Sequence, residues 1–194
     1  MRELRSAGRP REFDERETLQ KLMNIFWEKG YEGTSLSDMV DVTTLKKGSL
    51  YAAFGSKHDM YLKAIAHYEA LVVDTACDAL TSGNDPVDHI DAFLSSPIDA
   101  VWNKGDTRGC FLCNASADKA ALDADTHALV RRGYNKLDRA LREALKKARP
   151  DWNEEDIASK ARLLLAVYSG LRVMSRSAID RDTLEEAKHN AMQF

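Results

Sequence analysis

The run from Thr34 to Lys57, TSLSDMVDVTTLKKGSLYAAFGSK, constrains this chain most, because it reads as two short helices joined by a tight turn. Ser35, with Asp38 three residues on, has the form of a capping box that opens a helix. Leu36, Met39 and Val40 then give that helix a short apolar face. Leu45, Leu50 and Phe54 recur at roughly helical spacing and supply the inward face of a second helix. Its other residues, Lys46, Lys47, Gly48, Ser49 and Tyr51, are small, polar or cationic, and residues 44–58 contain no acid. A helix of that make-up fits a major groove about 12 Å wide and offers hydroxyls and cations to phosphates and base edges.

Composition supports a folded protein with an uneven surface. With 194 residues and 44% apolar content, the chain is large enough to bury a core, as one domain or two small ones. The net charge of -3 hides an asymmetry: Arg2, Arg5, Arg9 and Arg11 stand against the single acid Glu3 in residues 1–11. That segment is expected to be a basic arm, with Arg9 and Arg11 placed to follow a minor groove. Neither a stretch of about eighteen apolar residues nor the apolar region of a secretory signal occurs, so a cytoplasmic protein with no membrane partner is expected. Cys77, Cys110 and Cys113 are odd in number and unevenly spaced, which offers no disulfide framework and too few ligands for a structural zinc. Reduced thiols, no metal and no cofactor are expected.

The rest of the chain reads as helices throughout, with no strand-like alternation and no internal repeat. Asp14 and Glu17 suggest another capping box, followed by Leu19, Leu22, Met23 and Phe26 on one face and a stop at Gly30. Ser56 and Asp59 open a long helix to about Leu80, with Tyr61, Ile65, Tyr68, Val72 and Ala76 inward. It begins beside the basic segment, so a shift at its far end would move the reading helices. TSGNDP at residues 81–86 is a loop by composition. Residues 87–102 form one helix or two, because Pro97 interrupts them. A short helix is expected from Cys110 to Lys119, and a longer one over residues 125–148 with Leu129, Leu137, Leu141 and Leu145 inward. Asn153 and Asp156 start the next, and a last one spans residues 181–192.

The segments Gly30-Tyr31-Glu32-Gly33-Thr34-Ser35 and Leu50-Tyr51-Ala52-Ala53-Phe54-Gly55-Ser56-Lys57 resemble the characteristic stretch of the tetracycline-repressor (TetR) family of bacterial transcription regulators. The family usually has glycine in the turn between its two helices, whereas this chain has Thr44, a β-branched residue that is strained at positive φ. The resemblance implies an all-α protein with a three-helix DNA-binding domain over residues 1–58 and a larger ligand-binding and dimerisation domain over residues 59–194. It further implies a repressor bound to double-stranded operator DNA and released by a small-molecule inducer. Lys46, Lys47, Gly48, Ser49 and Tyr51 would face the major groove. Thr34 and Lys57, read as lying at helix N-termini, would meet phosphate, and Tyr31 and Ser35 would add backbone contacts.

One reading helix covers few base pairs, and helix-turn-helix proteins bind as dimers on half-sites about 34–36 Å apart. The face Leu163, Val167, Gly170, Leu171 and Met174 exceeds what one small core needs and is the expected homodimer surface. The inducer site is less legible. Gly109-Cys110-Phe111-Leu112-Cys113-Asn114 is similar to the Gly-Cys-x-x-x-Asn segment of a TetR subgroup that includes the N-ethylmaleimide repressor, whose members respond to electrophiles. Cys110 and Cys113 read first as core residues, with redox or electrophile sensing as the alternative, and Trp102 is a candidate for lining a pocket. A thiol reductase lacks its setting, since no strand or glycine-rich cofactor loop accompanies the C-x-x-C pair, so no enzyme is expected. A module that binds only other proteins fits poorly with the acid-free stretch.

Overall fold

The computed structural model describes residues 13–118, 123–177 and 179–194. The basic arm, with Arg9 and Arg11, lies outside the described residues. The elements in chain order are α1 (Glu15–Gly33), α2 (Leu36–Thr43), α3 (Lys47–Phe54), α4 (Lys57–Tyr68), a π-helical turn (Glu69–Val73), α5 (Asp74–Thr81), α6 (Pro86–Trp102), α7 (Phe111–Ala117), α8 (Ala124–Ala148), α9 (Glu154–Met174) and α10 (Arg181–Ala191). The fold is all-α, as the periodicity predicts.

Capping explains most of the helix starts. Ser35 and Ser56 each make a reciprocal box, with Asp38 and Asp59 respectively. Asp14 and Asn153 cap α1 and α9, and Asp85, Asp123 and Asp180 cap α6, α8 and α10. The box expected at α1 is only half made: Asp14 accepts from two backbone amides, while Glu17 turns to Lys21 at 2.7 Å. Gly30 breaks α1 as expected, at φ 72 and ψ 178, a conformation confined essentially to glycine.

Two expectations about helix continuity change. Pro97 does not divide α6; it lies inside it, buried. Proline cannot donate to the carbonyl four residues back, and the Ser96 hydroxyl donates to that Phe93 carbonyl instead, at 2.8 Å. The long helix after Ser56 is interrupted, because the π turn inserts an extra residue. Its buried face therefore slips by one, and Val73 at 3% exposure, rather than Val72, continues the stripe of Tyr61, Ile65 and Tyr68.

A single apolar cluster runs from the N-terminal helices into the body. Its spine is aromatic: Phe26 meets Tyr61 at 5.2 Å between ring centroids, Tyr61 meets Phe111 at 5.7 Å, Phe111 meets Tyr68 at 5.7 Å, and Tyr68 meets Trp27 at 4.9 Å. Edge-on pairs of this kind add directional packing to plain burial. A second, small cluster of Ile98, Leu171 and Leu184 lies among α6, α9 and α10.

Candidate nucleic-acid interface

Helix α3 is anchored from below by Leu50 and Phe54, which are 0% and 4% exposed. That leaves Lys46, Lys47, Gly48, Ser49, Tyr51 and Ala52 outward and exposed. Its N-terminus departs from the pattern of its neighbours. Lys46 is the N-cap residue and makes no side-chain cap, Lys47 follows at the first helical position, and the first turn has no acid. A helix start carries free N–H groups and a positive dipole end. Two cations placed there are unfavourable within the chain and suit an anion arriving from outside.

Gly48 adds to this picture. Its backbone is ordinary helix, and a Cβ built on it meets no atom within 4 Å. Helical glycine costs up to about 1 kcal/mol relative to alanine, and nothing inside the fold calls for it. The turn before α3 holds Thr44 at φ 58 and ψ 13, the only non-glycine positive φ among the described residues. The departure from glycine noted in the sequence therefore carries strain.

The sequence-predicted residues around the turn take different parts. Ser35 is exposed, as the cap of α2. Lys57 occupies the first position of α4 and stacks its ammonium over the Tyr31 ring, 4.5 Å from the centroid. Tyr31 is half-buried among Phe26, His58 and Tyr61. Thr34 requires a correction: it is 0% exposed, and its hydroxyl donates to the Gly30 carbonyl at 2.7 Å, so it braces the kink in α1 and does not face solvent.

Beneath this surface the body grips the head at several points. Asp118, just after α7, accepts the Tyr31 backbone N–H at 2.5 Å, and a Cβ on Gly30 would come within 2.9 Å of the same carboxylate oxygen. Asn114 donates to the Trp27 carbonyl at 3.3 Å, and Arg108 covers the Trp27 ring at 3.9 Å. His58 faces Asp123 at 3.3 Å, and Asp125 is close enough to complete a three-ligand cluster. Asp123 already caps α8, however, and the start of a helix is a poor place for a cation. Sequence reasoning missed Asp118 and Asn114, because their partners lie 87 residues away and no local pattern announces the contact.

The residues proposed for sensing are packed. Cys110 is 3% exposed as the N-cap of α7, and its sulfur accepts from the Tyr68 hydroxyl at 3.6 Å. Hydrogen bonding from Cys113, with Arg172 nearby, pulls the Cys110 thiol down to about 6, while the same bond and burial push Cys113 up. The thiolate would form where a dissolved reagent has no access, so the geometry favours packing over electrophile or redox sensing. Trp102 is exposed at the end of α6 and is not among the residues around the 340 Å³ hollow between α7 and α8.

On the expected dimer face, Leu163 is 50% and Met174 38% exposed, joined by Val173 at 54%. Val167 and Gly170 are half-buried, and nothing lies within 4 Å of a Cβ on Gly170. Leu171 is corrected: at 2% exposure it packs against Ile98 and Leu184 of its own chain and is not free for a partner.

An N-terminal helix-turn-helix head on a larger helical body defines a class of regulator, and comparison with known proteins narrows it. Residues 19–64 match the model of the bacterial regulatory proteins of the tetR family. The uncharacterized HTH-type transcriptional regulator YezE of Bacillus subtilis is 25% identical over 183 residues, 92% of this chain and 94% of that protein. The HTH-type transcriptional repressor ComR of Escherichia coli is 24% identical over 184 residues, 93% and 88% of the two chains. A cysteine mutant of the TetR family transcriptional regulator CifR, solved with a 26 bp double-strand operator DNA, superposes with a TM-score of 0.82 at 26% identity, covering 95% of this chain and 98% of that one. Residues 19–64 thus carry the DNA-binding segment of the tetR family, and over nearly its whole length the chain is similar to TetR-family transcriptional regulators.

Proposed function

We propose that the chain is a cytoplasmic, homodimeric repressor that reads an operator with α3 and is released from it by a small-molecule inducer. In this reading residues 1–58 form the DNA-binding unit and residues 59–194 the unit that dimerises and takes the inducer. The uncapped, doubly cationic N-terminus of α3 carries the proposal, because it is costly within the chain and useful only against a phosphate. Lys46, Lys47, Ser49 and Tyr51 supply groups for phosphates and base edges, and Gly48 lets the duplex approach the backbone closely. Lys57 is held in place by the Tyr31 ring and makes a phosphate contact, and the exposed Ser35 adds another. The exposed Leu163, Val173 and Met174 supply the apolar centre of a two-fold interface on α9.

Selection of bound duplexes from a random pool by the purified protein tests this reading. The enriched duplexes should share two inverted half-sites about one helical turn apart, or a multiple of it. A pool that stays random after repeated rounds at low salt would contradict it.

A further inference from the structure

Glu69 is 3% exposed, and among the described residues no other carboxylate is buried to that degree. It opens the π turn between α4 and α5. Its Oε1 accepts from Arg132 Nε at 3.1 Å and from Lys136 Nζ at 2.6 Å. Its Oε2 accepts from Arg132 Nε at 2.9 Å and forms an ion pair with Nη2 at 2.8 Å. Lys136 also reaches Asp74, at 2.6 Å. Two acids on the long helix are thus fastened to two bases one turn apart on α8.

An uninterrupted α-helix with an apolar residue at this position would bury the same surface with less desolvation, since a buried ion pair is often no more stabilising than a well-packed apolar one. A π turn is likewise rare and tends to occur at functional sites. What the two together provide is direction. The extra residue sets the rotation of α4 relative to α5, and the bidentate arginine fixes the carboxylate in both distance and plane. Helix α4 carries Lys57 and packs along α1, while α5 packs on α8 and α6, so this turn stands between the reading head and the body.

We propose that Glu69, with Arg132 and Lys136, is a positioning clamp that sets the attitude of α4 and thereby the separation of the two reading helices in the dimer. The inference rests on the operator-binding reading above and deepens it by assigning a role to residues that do not touch DNA. Loosening the clamp lets α4 populate other attitudes, and apparent operator affinity falls with the fraction of molecules in the competent one.

The test uses the full chain as wild type, Glu69→Gln and Arg132→Gln. Affinity is measured by fluorescence anisotropy for the selected operator, for versions with half-site spacing changed by one and two base pairs, and for an unrelated duplex at low salt. Dimer mass and helix content are recorded alongside. Both variants should lose about tenfold or more at the natural spacing, tolerate altered spacings better than wild type, and bind the unrelated duplex as wild type does. An unchanged spacing profile with operator affinity within about twofold of wild type overturns the clamp, as does an equal loss on every duplex, which marks a merely structural role. Should Glu69→Gln fail to fold, Arg132→Gln carries the test, because the Arg132 side chain is 53% exposed and its truncation leaves the core intact. A wild-type protein that selects no duplex sinks the functional reading itself; normal wild-type binding with unaltered variants sinks only the clamp.

Discussion

Thr44 and Gly48 show opposite relations between residue type and backbone. Thr44 sits in the left-handed region with a β-branched side chain, a strain of order 1–3 kcal/mol. Replacement by glycine removes that strain and adds back somewhat less in unfolded-chain entropy. Thr44→Gly should therefore raise stability by about 1 kcal/mol in urea unfolding, and a loss would show that the turn is not strained. Gly48 is the reverse case, a residue with no conformational duty in an open helical position. Gly48→Ala should leave stability unchanged or raise it by up to about 1 kcal/mol while weakening operator binding about tenfold. Equal operator affinity in the alanine variant would mean that the duplex does not approach this backbone. Thr34 marks a limit of sequence reading at this scale, since a position just before a capping serine looks exposed until the kink at Gly30 turns it inward.

Helix starts and apolar faces were legible because both follow from local spacing. Serine–aspartate boxes at Ser35 and Ser56, and the buried set Leu22, Met23 and Phe26, needed nothing beyond neighbours three or four residues away. The π turn was not legible, and the bases paired with its Glu69 and with Asp74 after it, Arg132 and Lys136, lie more than sixty positions downstream. The same holds for Asp118 beneath Tyr31, 87 positions away; Pro97 inside α6 was missed for a local reason, because the Ser96 hydroxyl takes up the Phe93 carbonyl three residues back. Leu171 was misassigned because periodicity places it beside Leu163 and Met174 without saying which neighbour covers it. The Ser56 box also carries a pH signature. Hydrogen bonds from the Ser56 hydroxyl and backbone N–H hold the Asp59 carboxyl below its ordinary range. A carboxyl depressed on folding stabilises the native state above its unfolded value, about 4, and that contribution is lost as pH falls through the lower native value. The stability gap between wild type and Ser56→Ala should thus be full at pH 6 and shrink towards pH 3. A gap that stays constant across that range would refute the coupling.

Over the whole molecule, two arrangements make the proposed regulator work. The aromatic spine from Phe26 through Tyr61 and Phe111 to Tyr68 packs α1, α4 and α7 into one continuous core, the route by which the proposed regulator would carry a change in the body to its head. In the proposed dimer the exposed apolar residues of α9 would join two such bodies. Leu163→Glu puts a charge at the centre of that face and should shift the protein to monomer mass by light scattering at micromolar concentration, with helix content retained. A dimer of undiminished stability would place the interface elsewhere.

Salt dependence of operator binding probes the central claim most directly, since each phosphate contact releases counterions. On the selected duplex, the logarithm of affinity should fall linearly with the logarithm of salt concentration for wild type. Lys57→Gln, changed once in each protomer, should reduce that slope by about 2. Binding that ignores salt, or a slope untouched by the substitution, would contradict a reading head seated on the phosphate backbone.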